Sequence, residues 1–122
     1  MRRLIGLSVV LAGLSAGCGG HASDVELVRG VTVEIDARDN TFDPEDTEVA
    51  AGTRIRFANV GRNEHNVIPS LDDQSELLVE TDDLGPDAEA VVRLTEPGTY
   101  RYYCSIHGTA EAGMIGTVEV TG

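Results

Sequence analysis

From Val25 to the C-terminus, no stretch carries apolar residues at helical spacing for three turns; apolar and polar residues alternate, or short apolar runs sit between turn residues. Successive side chains of a strand point to opposite faces, so this pattern excludes a helical domain and predicts an all-β one. Val31-Thr32-Val33-Glu34-Ile35 reads as a half-buried strand, and the turn at Ala51-Gly52 leads into a second over 53–59, where Ile55 and Phe57 share a face. Further strands are expected near His65–Ile68, Ala88–Leu94, Thr99–Cys104 and Met114–Val120, with Pro97-Gly98 in the central positions of a type II turn. Seven to eight short strands fit a Greek-key β-sandwich. Residues 70–87 are the least regular: Asp72, Asp73, Glu76, Glu80, Asp82, Asp83 and Asp87 surround Leu77-Leu78-Val79, and these charges read as a solvated face around a short helix or strand.

Charge narrows the choice of partner. The 122 residues hold 21 Asp plus Glu against nine Arg and no Lys, a formal net charge of -12. Phosphate binding needs a basic stripe, so nucleic acid is excluded as a partner. The size suits one monomeric domain.

The first residues have a separate role. Met1-Arg2-Arg3 is a positive n-region, and Leu4 to Ala16 is an uncharged apolar stretch of 13 residues, too short for the ~20 that span a bilayer. Residues 1–17 are therefore a signal peptide. Its end, Leu14-Ser15-Ala16-Gly17-Cys18, resembles the lipobox of bacterial lipoproteins, which implies that Cys18 is lipidated and becomes the first mature residue. An ordinary secretory signal with an incidental Cys is the alternative, and both imply export. Removing residues 1–17 leaves 105 residues and a net charge of -14. Residues 18–29 would be the lipidated Cys and a polar tether, in which His21 reads as a solvated linker histidine, and 30–122 the folded domain.

Chemistry concentrates near the C-terminus. The whole chain has three His, two Cys and two Met, yet Cys104, His107 and Met114 lie within eleven residues, with His65 upstream. Two imidazoles and a thiolate in a near-trigonal set, with a weak axial thioether, suit an ion that cycles between Cu(I) and Cu(II). Taken singly, the Cys and Met would be core fillers and His65 a satisfied strand histidine.

The segments that carry these residues resemble a known family. Residues 98–107, Gly-Thr-Tyr-Arg-Tyr-Tyr-Cys-Ser-Ile-His, and 113–120, Gly-Met-Ile-Gly-Thr-Val-Glu-Val, look like the copper-binding C-terminal segment of the plastocyanin and azurin family, the cupredoxins. Asn59-Val60-Gly61 through His65-Asn66-Val67, and Asn40-Thr41-Phe42-Asp43-Pro44 through Ala51-Gly52-Thr53, extend the likeness over roughly residues 30 to 121. The resemblance implies one copper ion held by His65, Cys104 and His107 with Met114 on the axis, and a brace from Asn66 to Ser105 beside the ligands. It also implies that electrons pass through His107 inside an apolar rim that includes Ala110 and Ala112. Tyr103 would mark a second, acidic docking site, with the carboxylates of residues 72 to 89 as its candidates.

The expected role is a one-electron carrier outside the cytoplasm, held to a membrane by lipid and working with redox proteins that are cationic or cytochrome-like. A copper carrier or storage protein is the alternative that these ligands leave open, and zinc is chemically possible for a His, His, Cys set. Catalysis is not expected. Copper nitrite reductases and multicopper oxidases use further copper sites and His residues flanking the Cys, where this chain has Tyr103 and Ser105.

Overall fold

The computed structural model describes residues 31–122. Eight strands occur in the order β1 (Thr32–Ala37), β2 (Phe42–Asp43), β3 (Asp46–Ala50), β4 (Arg54–Asn59), β5 (Ile68–Pro69), β6 (Glu89–Arg93), β7 (Gly98–Gly108) and β8 (Gly113–Thr121). They form two four-stranded sheets, β2-β1-β4-β6 and β3-β8-β7-β5. The all-β sandwich read from periodicity is therefore the observed fold. Both sheets are mixed: β1 runs parallel to β4 and β3 parallel to β8, the other pairs being antiparallel. No helix among the described residues is long and apolar enough to cross a membrane.

Period two sets which side chains meet. Ile35, Ile55 and Phe57 point inward from the first sheet, and Tyr100, Tyr102, Cys104, Val118 and Val120 from the second, all within 5% exposure. Phe42, Phe57 and Tyr102 form an edge-to-face trio at the centre, with ring centroids 4.9, 5.5 and 6.1 Å apart. Gly116 lies opposite Tyr102 in the β7–β8 ladder, and any Cβ there would run into the Tyr102 ring.

Several expected details differ. The segment 65–68 contributes only the two-residue β5 at its end, because Val67 instead pairs with Val79 in an isolated bridge. Residues 70–87 hold two single 3-10 turns, Ser75–Leu77 and Thr81–Asp83, anchored by the buried Leu77, Val79 and Leu84. Asp72, Asp73, Glu76, Glu80, Asp82, Asp83 and Asp87 are all exposed, as a solvated face requires. Gly98 takes a positive φ of 150°, not the roughly +80° of a type II turn, and begins β7 directly. The signal segment, Cys18 and His21 lie outside the described residues.

The Tyr102 hydroxyl generates a stability prediction. Its oxygen is buried with no hydrogen-bond partner among the described residues, and burial, followed by nearby Asp46 and Glu45, pushes its pKa up. A hydroxyl buried without a partner costs about 1–3 kcal/mol. Tyr102→Phe should therefore raise the unfolding free energy by about 1 kcal/mol in urea titrations, whereas a loss of stability would reveal a bond to that oxygen.

Candidate metal centre

The centre is built where a regular strand stops being regular. Cys104 continues the inward alternation of β7 and is fully buried and free. In an unbroken strand His107, three residues on, would point to the opposite face. The register of β7 against β8 shifts between Tyr103 and Gly108, leaving Ser105 and Ile106 exposed. That irregularity brings His107 back beside Cys104, as bulges near functional sites do. Beyond it, Gly108 pairs with Gly113, and Thr109 N–H donates to the Ala112 carbonyl at 2.8 Å, closing a tight hairpin. Gly113 has φ 90°, and a Cβ there would lie 2.7 Å from the His107 carbonyl oxygen, so the turn depends on glycine.

His65 reaches the same point from the loop after β4. Cys104 Sγ lies 3.7 Å from His65 Nδ1 and 3.8 Å from His107 Nδ1, and the two imidazole rings are 5.0 Å apart at 55°. The three donor atoms all lie within 4.8 Å of one another. Separations of 3.7 and 3.8 Å are within reach of one ion bonded to both atoms, since metal bonds run about 2.3 Å to sulfur and about 2.0–2.1 Å to nitrogen. The residues fit a single ion, and a thiolate with two imidazoles is donor chemistry that copper favours.

Hydrogen bonds lock the surroundings. Asn66, 5% exposed, accepts from Ser105 N–H through Oδ1 at 2.8 Å and donates from Nδ2 to Ser105 Oγ at 2.8 Å and Thr81 Oγ1 at 3.1 Å. The Asn66–Ser105 pair implied by the resemblance is thus in contact, and Thr81 extends it to the acidic segment. That segment lies on the β5 side of β7, because Val79 pairs with Val67 and Ile68 with Tyr103. Met114 is fully buried as the second residue of β8, immediately after the Gly113 turn. Ala110 and Ala112 are exposed on the hairpin, Ile106 is 44% exposed, and His107 and Tyr103 are partly buried.

Comparison with known proteins follows the same lines. Residues 29–121 match the family model described as copper binding proteins, plastocyanin/azurin family. The chain belongs to this family. The cupredoxin is 35% identical over 125 residues to the major chloroplastic plastocyanin isoform of Arabidopsis thaliana, an alignment covering 94% of this chain and 70% of that one. It spans about half, 52% and 54%, of two other chloroplastic plastocyanins. Among solved structures, the oxidized form of plastocyanin from Dryopteris crassirhizoma superposes with a TM-score of 0.62 at 26% identity, covering 73% of this chain and 100% of that one. A Cu-containing nitrite reductase from Thermus scotoductus SA-01 also gives 0.62 at 27% identity, over 75% of this chain and only 23% of the enzyme.

The buried imidazole sets a pH dependence. Burial first, then the neighbouring His107, holds His65 below its ordinary value of 6.5, with Asp39 opposing. An unfolded chain carries this His at its ordinary value, so below about pH 6.5 it takes up a proton that the folded, metal-free protein resists. The His65 contribution is fully present above that pH and is lost as pH falls through the folded value. Metal-free protein should need less urea to unfold at about pH 5 than at about pH 7, and His65→Gln should lose less over that interval. Parallel losses in the two proteins would remove His65 as the cause.

Proposed function

We propose that this cupredoxin is a one-electron carrier working outside the cytoplasm through a single type 1 copper ion. The observation that carries the reading is the trio of a buried thiol, a buried imidazole and the half-buried His107 imidazole at 3.7 and 3.8 Å, closed by the irregularity in β7. Copper, when bound, supplies the electron gained and lost. His65, Cys104 and His107 would hold it, and Met114, buried at the start of β8, would supply a further, weak thioether donor. Asn66 fixes the Cys104 loop through Ser105, so the donors keep one arrangement as the charge at the centre changes. This rigidity favours electron transfer over a copper carrier, which has to open its site to release its cargo.

The partly exposed His107 is the shortest way out of the centre, beside Ile106, Ala110 and Ala112. Apart from the exposed Glu111 the rim is uncharged, which lets a partner approach closely without stripping water from charges. The exposed carboxylates of residues 72 to 89 would steer a cationic partner, such as a basic cytochrome, over a longer range. The carboxylates of residues 72 to 83 belong to the segment that follows β5, the strand paired with Tyr103, which supports that tyrosine as a second port, whereas Glu89 sits on β6 of the other sheet. The likeness to a nitrite reductase concerns under a quarter of that enzyme and supports no catalytic step here.

Colour tests the centre. The copper-loaded protein should show an intense thiolate-to-copper band in the visible, which Cys104→Ser abolishes together with most Cu(II) affinity. Met114→Leu should keep both and raise the reduction potential. A Cys104→Ser protein that stays coloured would refute the ligand set.

The N-terminal segment supports attachment of the domain to the outer face of a membrane through lipid on Cys18. Two acyl chains anchor stably where one binds marginally, so the expressed protein should sediment with membranes until detergent is added, and Cys18→Ala should block processing. A wholly soluble exported protein without acyl mass on its first residue would favour the ordinary signal.

A further inference from the structure

His65 lacks the support that a metal-binding histidine usually has. Such a residue normally donates its other ring N–H to an acceptor, which fixes the ring. Here Nδ1 faces Cys104, while Nε2 is buried with no hydrogen-bond partner among the described residues. Among the described residues, this imidazole is therefore constrained through its backbone and its packing. The backbone leads to Asn59, the last residue of β4, six positions earlier and 2% exposed.

The Asn59 carboxamide is fully engaged. Nδ2 donates to the Asn63 carbonyl at 2.7 Å and to the Leu84 carbonyl at 2.9 Å, and Oδ1 accepts from Gly61 N–H at 3.0 Å. Its own N–H donates to Ala88, and its carbonyl accepts from Asp87 N–H. The Leu84 carbonyl also accepts the His65 N–H at 3.1 Å, so one oxygen takes hydrogen bonds from both Asn59 and the ligand-bearing residue. Leu84 itself is fully buried. From outside, Asp39 Oδ1 accepts Arg62 N–H at 2.8 Å and packs against Gly61, where a Cβ would come within 2.7 Å of it.

The geometry points to Asn59 as the positioning residue for His65: through the shared Leu84 carbonyl, it holds this ligand in place whether or not metal is bound. Asn66 serves the Cys104 loop, and Asn59 serves the other side of the centre. Neither alone fixes both. Asn59→Asp keeps the oxygen facing Gly61, removes both donors, and sets a second oxygen against the carbonyls of Asn63 and Leu84.

The test compares full-length Asn59→Asp with Val92→Ala, a core truncation remote in role that lowers stability without touching either loop. In the metal-free proteins, amide hydrogen exchange is followed at His65 and at Ser105, whose N–H is held by Asn66. Asn59→Asp should speed exchange at His65 at least about ten-fold more than at Ser105, while Val92→Ala moves the two together. In the copper-loaded proteins, Asn59→Asp should slow electron self-exchange about ten-fold and change the copper hyperfine splitting, and Val92→Ala should leave both as in the wild type. Only this second arm rests on the copper reading. Equal acceleration at His65 and Ser105 in Asn59→Asp overturns the assignment, whatever the metal does. If Asn59→Asp fails to fold, Asn59→Ser, which keeps one donor, is read by the same comparison.

Discussion

Everything at the metal centre depends on one break in pairing, the register shift between Tyr103 and Gly108. Strand geometry sends residues 104 and 107 to opposite faces, and only an irregular stretch lets both contribute to one point. The remaining features follow from containing that irregularity. Asn66 ties down the Ser105 backbone that the shift releases, the Gly108–Gly113 pair restarts the ladder, and Met114 re-enters the core one residue later. The aromatic trio of Phe42, Phe57 and Tyr102 packs around the β7 residue two positions before Cys104.

Much of this was legible in the residues. Long strands with a strong alternation, β4, β7 and β8, were readable because each buries one face against the opposite sheet. The donors His65, Cys104 and His107 were readable because soft and borderline ligands are rare in this chain and cluster where they occur. The short strands were not. Phe42–Asp43 is too short to show a period and Asp46–Ala50 buries only Val49, so only pairing with β1 and β8 makes them strands.

The positioning groups were the hardest to read. Asn59 is one polar residue at the end of a strand that already carries Arg54 and Arg56, and what distinguishes it is a carbonyl 25 residues later. Spacing carries no trace of such a contact. The place of the acidic segment was hidden for the same reason: Val67 meets Val79, and Asn66 meets Thr81, across a stretch without regular structure. Composition could mark those carboxylates as solvated, but not which edge of the sandwich they flank.

The spacing of the three donors along the chain has a consequence for how the molecule matures. Cys104 and His107 are three residues apart and can chelate an ion from an unstructured chain, whereas His65 and Cys104 are separated by 39 positions. Closing the longer loop costs about 2 kcal/mol more chain entropy than closing the shorter one. A metal captured early would therefore be held by the local pair alone, and the third bond would form only as β4 docks against β1 and its loop meets Leu84. Tight binding thus reports the finished sandwich, and a chain whose two sheets have not yet closed would hold an ion through two donors instead of three.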